Sequence, residues 1–491
     1  MIELKDIQRI YFIGIGGIGM SAIARYFISR GVVVSGYDRT ATSLAKQLES
    51  EGMLIHYSDD INQLDKAASL VVYTPAVPKE HSELNWYRDN NYQVVKRSDV
   101  LQIITKDSFN ICIAGTHGKT SISTMTGHIL RETGYGCNAF LGGISVNYNT
   151  NFWGSDNNVC VVEADEYDRS FLKLDPDVAV VTSMDADHLD IYGTVEAMNN
   201  AFVEFAARVK SNGILIRKHG LTKLNDAQVR RQLTYQLHAD IAHYHTHDDS
   251  AEALNDHDHL HDETDSPDVY AYNVQTQAGG YRFDASISQT IIQNIELNIG
   301  GTHNIENALA AITIATALKI DQEKIKAAVA NYRSVKRRFE YIIKQLTPAQ
   351  KKAIVFIDDY AHHPEELKAL ISSALQLFPG MKCTVVFQPH LFTRTRDLAA
   401  GFAGALDMAN EVILLPIYPA RELPIAGITS ETISSKMKKA QVSILSKEAY
   451  LENIDVESIE LLITAGAGDI DTLVPQLANK INSSATQENV E

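Results

Sequence analysis

The run Gly115-Thr116-His117-Gly118-Lys119-Thr120-Ser121 has the residue types and order that hold a polyphosphate. Glycines let backbone amides wrap the phosphates, a lysine gives a point charge to the transferred group, and the hydroxyl after it can hold magnesium. The run lies between the apolar stretch Asn110 to Ala114 and a helical pattern beginning near Lys119, the strand, loop and helix order that such a loop requires. Its two glycines stand closer together than in the common G-x-x-x-x-G-K-[ST] spacing.

A second glycine cluster, Gly14-Ile15-Gly16-Gly17-Ile18-Gly19, also follows a strand candidate and opens a helix. Gly14, Gly16, Gly17 and Gly19 fit a turn that brings amides close to a diphosphate, and Asp38 closes the next strand where an acid reaches a ribose hydroxyl. Thr74-Pro75-Ala76 adds hydroxyl and amide donors to the same crevice, through Thr74 and Ala76. The motif reports a diphosphate without saying which nucleotide carries it, so a nicotinamide dinucleotide stays open.

Carboxylates follow the next strand candidates. Glu163 opens Glu-Ala-Asp-Glu, with Asp165, Glu166 and Asp168 as competitors for its role, and His188 stands in Asp-Ala-Asp-His-Leu-Asp beside Asp187 and Asp190. Carboxylate plus imidazole is a plausible metal pair, and ligand groups gather at the carboxyl edge of an open sheet. Gly301 to Asn307 starts a helix, where Asn is a common cap. Arg337-Arg338-Phe339-Glu340 marks a junction.

The last third carries Asp358-Asp359-Tyr360-Ala361-His362-His363-Pro364 and Phe387-Gln388-Pro389-His390-Leu391-Phe392-Thr393-Arg394, each at the end of a strand candidate. Arg394 offers a planar fork for a carboxylate, and His362 and His390 are candidates to take a proton from an amine. Gly466-Ala467-Gly468-Asp469 fits a tight turn and is assigned no chemistry.

The elements that must position these groups are repeated βα units around parallel sheets, because short Val- and Ile-rich runs alternate with longer amphipathic segments. At 491 residues the chain is too long for one core, and domain size suggests about three. The blocks are 1–107, 108–335 and 336–491. Their strand candidates are Ile10 to Ile13, Val32 to Gly36 and Leu70 to Tyr73; Asn110 to Ala114, Val159 to Glu163 and Val178 to Thr182; and Ala353 to Ile357, Cys383 to Phe387, Val412 to Leu415 and Leu461 to Thr464. Between Gln236 and Asp268 the pattern gives way to a His- and Asp-dense insertion without fixed metal-ligand spacing.

A net charge of -17 argues against nucleic acid and anionic membranes as partners. No apolar run reaches the ~18 residues of a membrane span, and no signal peptide opens the chain. Cys112, Cys137, Cys160 and Cys383 form no CxxC pair, which fits a cytoplasmic protein.

The short loop form G-T-x-G-K-[ST], with the Glu163, His188 and Gly301-to-Asn307 segments, resembles the Mur ligase family through almost the whole chain. That resemblance implies an α/β chain of three domains, each on a mostly parallel sheet: Rossmann-like, then a P-loop-type ATPase, then Rossmann-like. It assigns Gly115 to Ser121, Asn304, Asn307, Arg338 and Asp359 to ATP. Thr120, Glu163 and His188 go to Mg2+, and the first glycine cluster with Asp38, Thr74 and Ala76 goes to a UDP-sugar. Lys119 and His188 act in catalysis.

The third block is similar to the branch of the family that adds L-alanine to UDP-N-acetylmuramate through an acyl phosphate. Tyr360, His362, His390 and Arg394 then surround the amino acid, although Leu391 stands where some members carry arginine. A monomer or homodimer is expected. A ligase that attaches a ready-made peptide to the same nucleotide, a nicotinamide oxidoreductase and a non-catalytic nucleotide sensor are the rivals.

Overall fold

The structure is a computed structural model that describes residues 3–186, 189–237, 266–346, 353–420 and 422–487. His188, and most of the His- and Asp-rich insertion (238–265), lie outside the described residues.

Three sheets are built along the chain. The first contains β1 (Arg9–Ile13), β2 (Val33–Tyr37), β3 (Leu54–His56), β4 (Leu70–Tyr73) and β5 (Val94–Lys96), in the order β3-β2-β1-β4-β5 and parallel throughout. Ile10 to Ile13 are buried, as parallel strands covered on both faces must be. Helix α1 (Ile18–Ile28) follows β1, and α2 (Arg97–Thr105) follows β5.

The second sheet has ten strands: β6 (Phe109–Ala114), β7 (Asn138–Ser145), β8 (Thr150–Trp153), β9 (Val159–Glu163), β10 (Val178–Val181), β11 (Ile214–Lys218), β12 (Gln232–Leu237), β13 (Val269–Gln277), β14 (Gly280–Ile287) and β15 (Thr290–Leu297). Their order is β15-β14-β13-β12-β11-β10-β6-β9-β7-β8. β6 pairs in parallel with both β9 and β10, so the carboxyl ends of these three strands lie side by side. Helices α3 (Lys119–Glu132) and α4 (His303–Ala317) belong to this part of the chain.

The third sheet holds β16 (Glu340–Gln345), β17 (Ile354–Asp359), β18 (Cys383–Phe387), β19 (Glu411–Leu414), β20 (Gln441–Ile444) and β21 (Leu461–Ala465), ordered β16-β17-β21-β18-β19-β20. Only β16 runs antiparallel to its neighbour. Helix α5 (Pro364–Leu377) starts with proline at its first turn, where the missing N–H costs nothing, and α6 (Phe392–Leu406) follows β18.

By its internal contacts the chain divides into two compact units. One is made of residues 1–272, 284–293 and 306–329, the other of 273–283, 294–305 and 330–491. The first unit contains the first sheet and most of the second. There Asn151 of β8 donates to Ile18 O at 2.6 Å and Ser21 Oγ at 3.0 Å and accepts from buried Arg25, so α1 is fastened to the central sheet, while Arg25 also meets Glu51 of the first block at 2.8 Å. Across the same unit Lys96 pairs with Asp168 at 2.8 Å and Arg97 with Asp165 at 3.5 Å.

Candidate active site

The phosphate loop leaves β6 at Ala114 and enters α3 at Lys119. Gly115 has φ +127°, and a Cβ there would sit 2.0 Å from Thr182 Oγ1, so no other residue fits. Gly118 caps α3 at φ +81° and offers no side chain to its first amides. Opposite the loop, the hydroxyl of Thr182, just past β10, donates to Ala114 O at 3.3 Å and also to His117 O. His117 N donates to Ser183 Oγ at 3.0 Å, and Thr116 Oγ1 to Asp185 O at 3.0 Å. Ser121 lies in the first turn of α3.

The acids of the strap after β9 divide in a way their spacing does not announce. Thr120 Oγ1 donates to Glu163 Oε1 at 3.1 Å, and Glu163 Oε2 accepts from Gly142 N at 3.0 Å. A Cβ at Gly142 would lie 2.2 Å from that carboxylate, which explains a glycine inside β7. Glu166, only 1% exposed, accepts from Lys119 Nζ at 2.8 and 2.7 Å, while Lys119 also donates to Gly115 O at 2.7 Å. Asp165 and Asp168 turn away to Arg97 and Lys96. Glu163 thus stands beside Thr120, and Glu166 has a separate place against the lysine.

Magnesium takes hard oxygen ligands, and Thr120 Oγ1 with Glu163 Oε1 provides two that already converge. Among the described residues no group of three or more His, Cys, Asp or Glu converges on one point. Asn307, on α4, faces the loop, its Oδ1 lying 3.0 Å from where a Cβ of Gly118 would be. Asn304, in the first turn of α4, is buried, and its amide donates to Gly300 O at 2.6 Å, which ties the helix start to the segment before it.

In the first sheet Gly14 has φ +88° and lies so close to Thr74 that a Cβ would come within 2.7 Å of its methyl. Gly17 caps α1. Asp38 does stand at the end of β2, but its Oδ2 accepts from Gly16 N at 2.8 Å and its Oδ1 from Thr40 N at 3.2 Å. As the protein stands, Asp38 shapes the glycine turn. Gly19 is covered by Arg97, whose Nη1 lies 3.0 Å from a Cβ built there. Ala76 N donates to Thr74 Oγ1 at 3.5 Å.

In the third sheet Asp359 accepts from Phe339 N and Ala361 N, both at 2.7 Å; burial pushes its carboxyl up to about 6, against those bonds and Arg338. Tyr360 is exposed, with Arg337 over its ring at 5.1 Å. His362 and His390 meet edge to face at 6.3 Å, and Arg394 Nη1 lies 3.4 Å from His390 Nδ1. Burial holds both imidazoles below their usual range; Arg394 lowers both further. Leu391 caps α6 at φ +73°, a conformation uncommon for a residue with a Cβ. Arg338, exposed, is not drawn into this cluster by any hydrogen bond of its side chain among those of the described residues.

Comparison with known proteins adds three family matches: "Mur ligase family, catalytic domain" over residues 9–109, "Mur ligase middle domain" over 113–315 and "Mur ligase, glutamate ligase domain" over 337–473. The UDP-N-acetylmuramate–L-alanine ligase of Flavobacterium johnsoniae is 43% identical over 98% of this chain and 100% of its own length. That of Cytophaga hutchinsonii is 43% identical over 96% and 97%. Among solved structures, the UDP-N-acetylmuramate-alanine ligase of Thermotoga maritima has a TM-score of 0.78 at 24% identity, covering 97% of this chain and 99% of that one. A murein peptide ligase from Psychrobacter arcticus has a TM-score of 0.62 at 19% identity, covering 96% and 98%.

Proposed function

The chain belongs to the Mur ligase family, and from that premise we propose that it joins L-alanine to the lactyl carboxylate of UDP-N-acetylmuramate, with ATP cleaved to ADP and phosphate. It is an ATP-dependent ligase of peptidoglycan synthesis. The observation that carries the mechanism is the pairing, on one chain, of a phosphate loop bearing Lys119 with a cluster of Arg394 and two imidazoles held neutral.

In the first step a carboxylate oxygen of the sugar nucleotide forms a bond to the γ-phosphorus of ATP, and the bond from that phosphorus to the β,γ-bridging oxygen breaks. Lys119 offsets the charge on the transferring group, and loop amides from Gly115 to Ser121 hold the phosphates. Thr120 and Glu163, with His188 as a further proposed ligand, would hold Mg2+, which supplies charge neutralisation when bound.

In the second step the amine of alanine attacks the acyl carbonyl and phosphate leaves. The amine must lose a proton, so a neutral imidazole is the fitting acceptor, and Arg394 is suited to hold the amino acid's carboxylate. We assign the nucleotide to Asn304, Asn307, Arg338 and Asp359, and the UDP-sugar to the first glycine turn with Asp38, Thr74 and Ala76. Buried free thiols and the use of ATP support a cytoplasmic setting.

The test is phosphate release with ATP, magnesium and UDP-N-acetylmuramate, offering alanine, glycine, serine or the tripeptide as sole acceptor. Release with alanine and the matching product mass is expected. Release with the tripeptide alone would make the chain a recycling ligase.

A further inference from the structure

On the proposed reading that Lys119 offsets charge on the transferring phosphoryl group, its partner Glu166 acquires a role. The lysine has only 14% of its side chain exposed and the glutamate 1%, so the two charges face each other out of water. The ammonium has three N–H groups; one reaches Gly115 O and the others reach the Glu166 carboxylate. A lysine on a flexible four-carbon stem is thereby held in a single direction over the loop.

Glu166 is itself held. Its carbonyl accepts from Tyr192 Oη at 2.6 Å and from Arg169 N at 3.0 Å, and the Arg169 guanidinium lies over the Tyr192 ring at 5.3 Å. Asp168 and Arg169 adopt φ +53° and +54°, uncommon for residues with a Cβ, and strain of this kind collects at functional sites. The turn they make sends Asp165 and Asp168 outward to Arg97 and Lys96 and leaves Glu166 pointing at the loop.

We propose that Glu166 is a positioning residue for phosphoryl transfer. It acts only through Lys119, fixing the ammonium beforehand so that no reorientation is needed as charge develops on the transferring group. With two oxygens on one ammonium, it can yield one contact to a phosphate oxygen and keep the other.

The test compares Glu166→Gln, Lys119→Met and the double variant in the full-length chain. Glu166→Gln is expected to lower kcat by about tenfold to a hundredfold while the KM for ATP moves less than about threefold, the split left by losing orientation without losing binding. Lys119→Met abandons a buried carboxylate, so its melting temperature is expected to fall by several degrees and to recover in the double variant. Adding Glu166→Gln to Lys119→Met should cost no further activity.

The inference is overturned if Glu166→Gln keeps kcat within about twofold of the parent. It is equally overturned if its loss is all in the KM for ATP, or if the double variant melts no higher than Lys119→Met. Should Glu166→Gln fail to fold while the double variant folds, the charge pair is upheld; failure of both overturns it. If Lys119→Met itself keeps full turnover, the reading of the phosphate loop falls, which a silent Glu166→Gln alone would not imply.

Discussion

Arg337 Nε lies 3.3 Å from Asp358 Oδ2, at the point where the chain enters the third sheet. The other Asp358 oxygen accepts from Thr464 Oγ1 at 2.6 Å, and Arg337 reaches across to the carbonyls of Gly466 and Gly468. Asp358 is 2% exposed, and burial pushes its carboxyl up to about 7, although Arg337 and the Thr464 bond work against that rise. The turn Gly466 to Asp469 is therefore a structural anchor; a Cβ at Gly468 would also lie 2.3 Å from Gln388 Oε1. Of the two adjacent arginines, 337 holds the fold and 338 remains exposed beside Asp359.

Replacing Arg337 with alanine should therefore cost about 1–3 kcal/mol of stability, because Asp358 then takes a proton and the Gly466 and Gly468 carbonyls lose their donor. Arg338→Ala should change stability by less than about 0.5 kcal/mol, as surface substitutions do, and raise the KM for ATP. Urea unfolding of the two variants, followed by ATP titration of Arg338→Ala, measures both. Equal destabilisation by the two would mean that the division of labour is wrong.

Gly115→Ala is a stricter test of the loop. The added carbon would meet Thr182 Oγ1 at 2.0 Å and Ser183 N at 2.8 Å, and φ +127° disfavours any Cβ. ATP binding should be lost beyond about a hundredfold, because an amide cradle cannot form around a displaced strand end. Binding of UDP-N-acetylmuramate to the chain, read by calorimetry, should survive. Retention of ATP affinity would show that the amides of this turn do not hold the phosphates.

How much of this was legible in the sequence varies with distance along the chain. Lys119, Thr120 and the loop glycines are local, since one turn contains all the chemistry, and the strand before them is a plain apolar run. Strand ends such as Leu70–Tyr73 and Cys383–Phe387 fall where that pattern places them. The partnership of Glu166 with Lys119 depends on left-handed backbone at Asp168 and Arg169, which no residue type there demands. β14 was missed for another reason. From Tyr281 on, its burial alternates residue by residue, so it offers no continuous apolar run. Arg337 and Arg338 differ only through the turn, where Arg337 has φ +61°.

A buried network in the first sheet gives a prediction about pH and stability. Glu83 is fully buried; it accepts from Tyr11 Oη at 2.6 Å and from Asp60 N at 3.1 Å, and burial raises its carboxyl to about 7. Because that lies above the ordinary value of 4.5, the folded chain binds the proton that the unfolded chain has released. Its contribution to stability is present below 4.5 and is lost as pH rises towards 7. Glu83→Gln stays neutral, so its stability relative to the parent should improve by about 3 kcal/mol between acid and neutral pH. A flat difference curve in denaturant unfolding would refute the assignment.

The two imidazoles can be separated by their tautomers. His362 Nδ1 lies 3.0 Å from Tyr360 O and 3.3 Å from Glu366 Oε2, two acceptors, so it carries the proton and leaves Nε2 with a lone pair. His390 Nδ1 faces an Arg394 N–H and must accept, which places its proton on Nε2. On the proposed mechanism His362 is thus the candidate proton acceptor and His390 a positioning partner of Arg394. Burial is the main cause that holds His362 below 6.5; Arg394 and His363 lower it further, while Glu366 and the Tyr360 carbonyl oppose them. A base is active when neutral, so kcat/KM for alanine should hold at neutral pH and fall only at pH values below 6.5. His362→Gln should lower the rate by about a hundredfold and erase that acid limb, whereas His390→Gln should keep the limb and raise the KM for alanine. Arg394→Gln should shift the limb to higher pH, since a cation that disfavours protonation is gone. An acid limb that survives in His362→Gln and vanishes in His390→Gln would reverse the two roles.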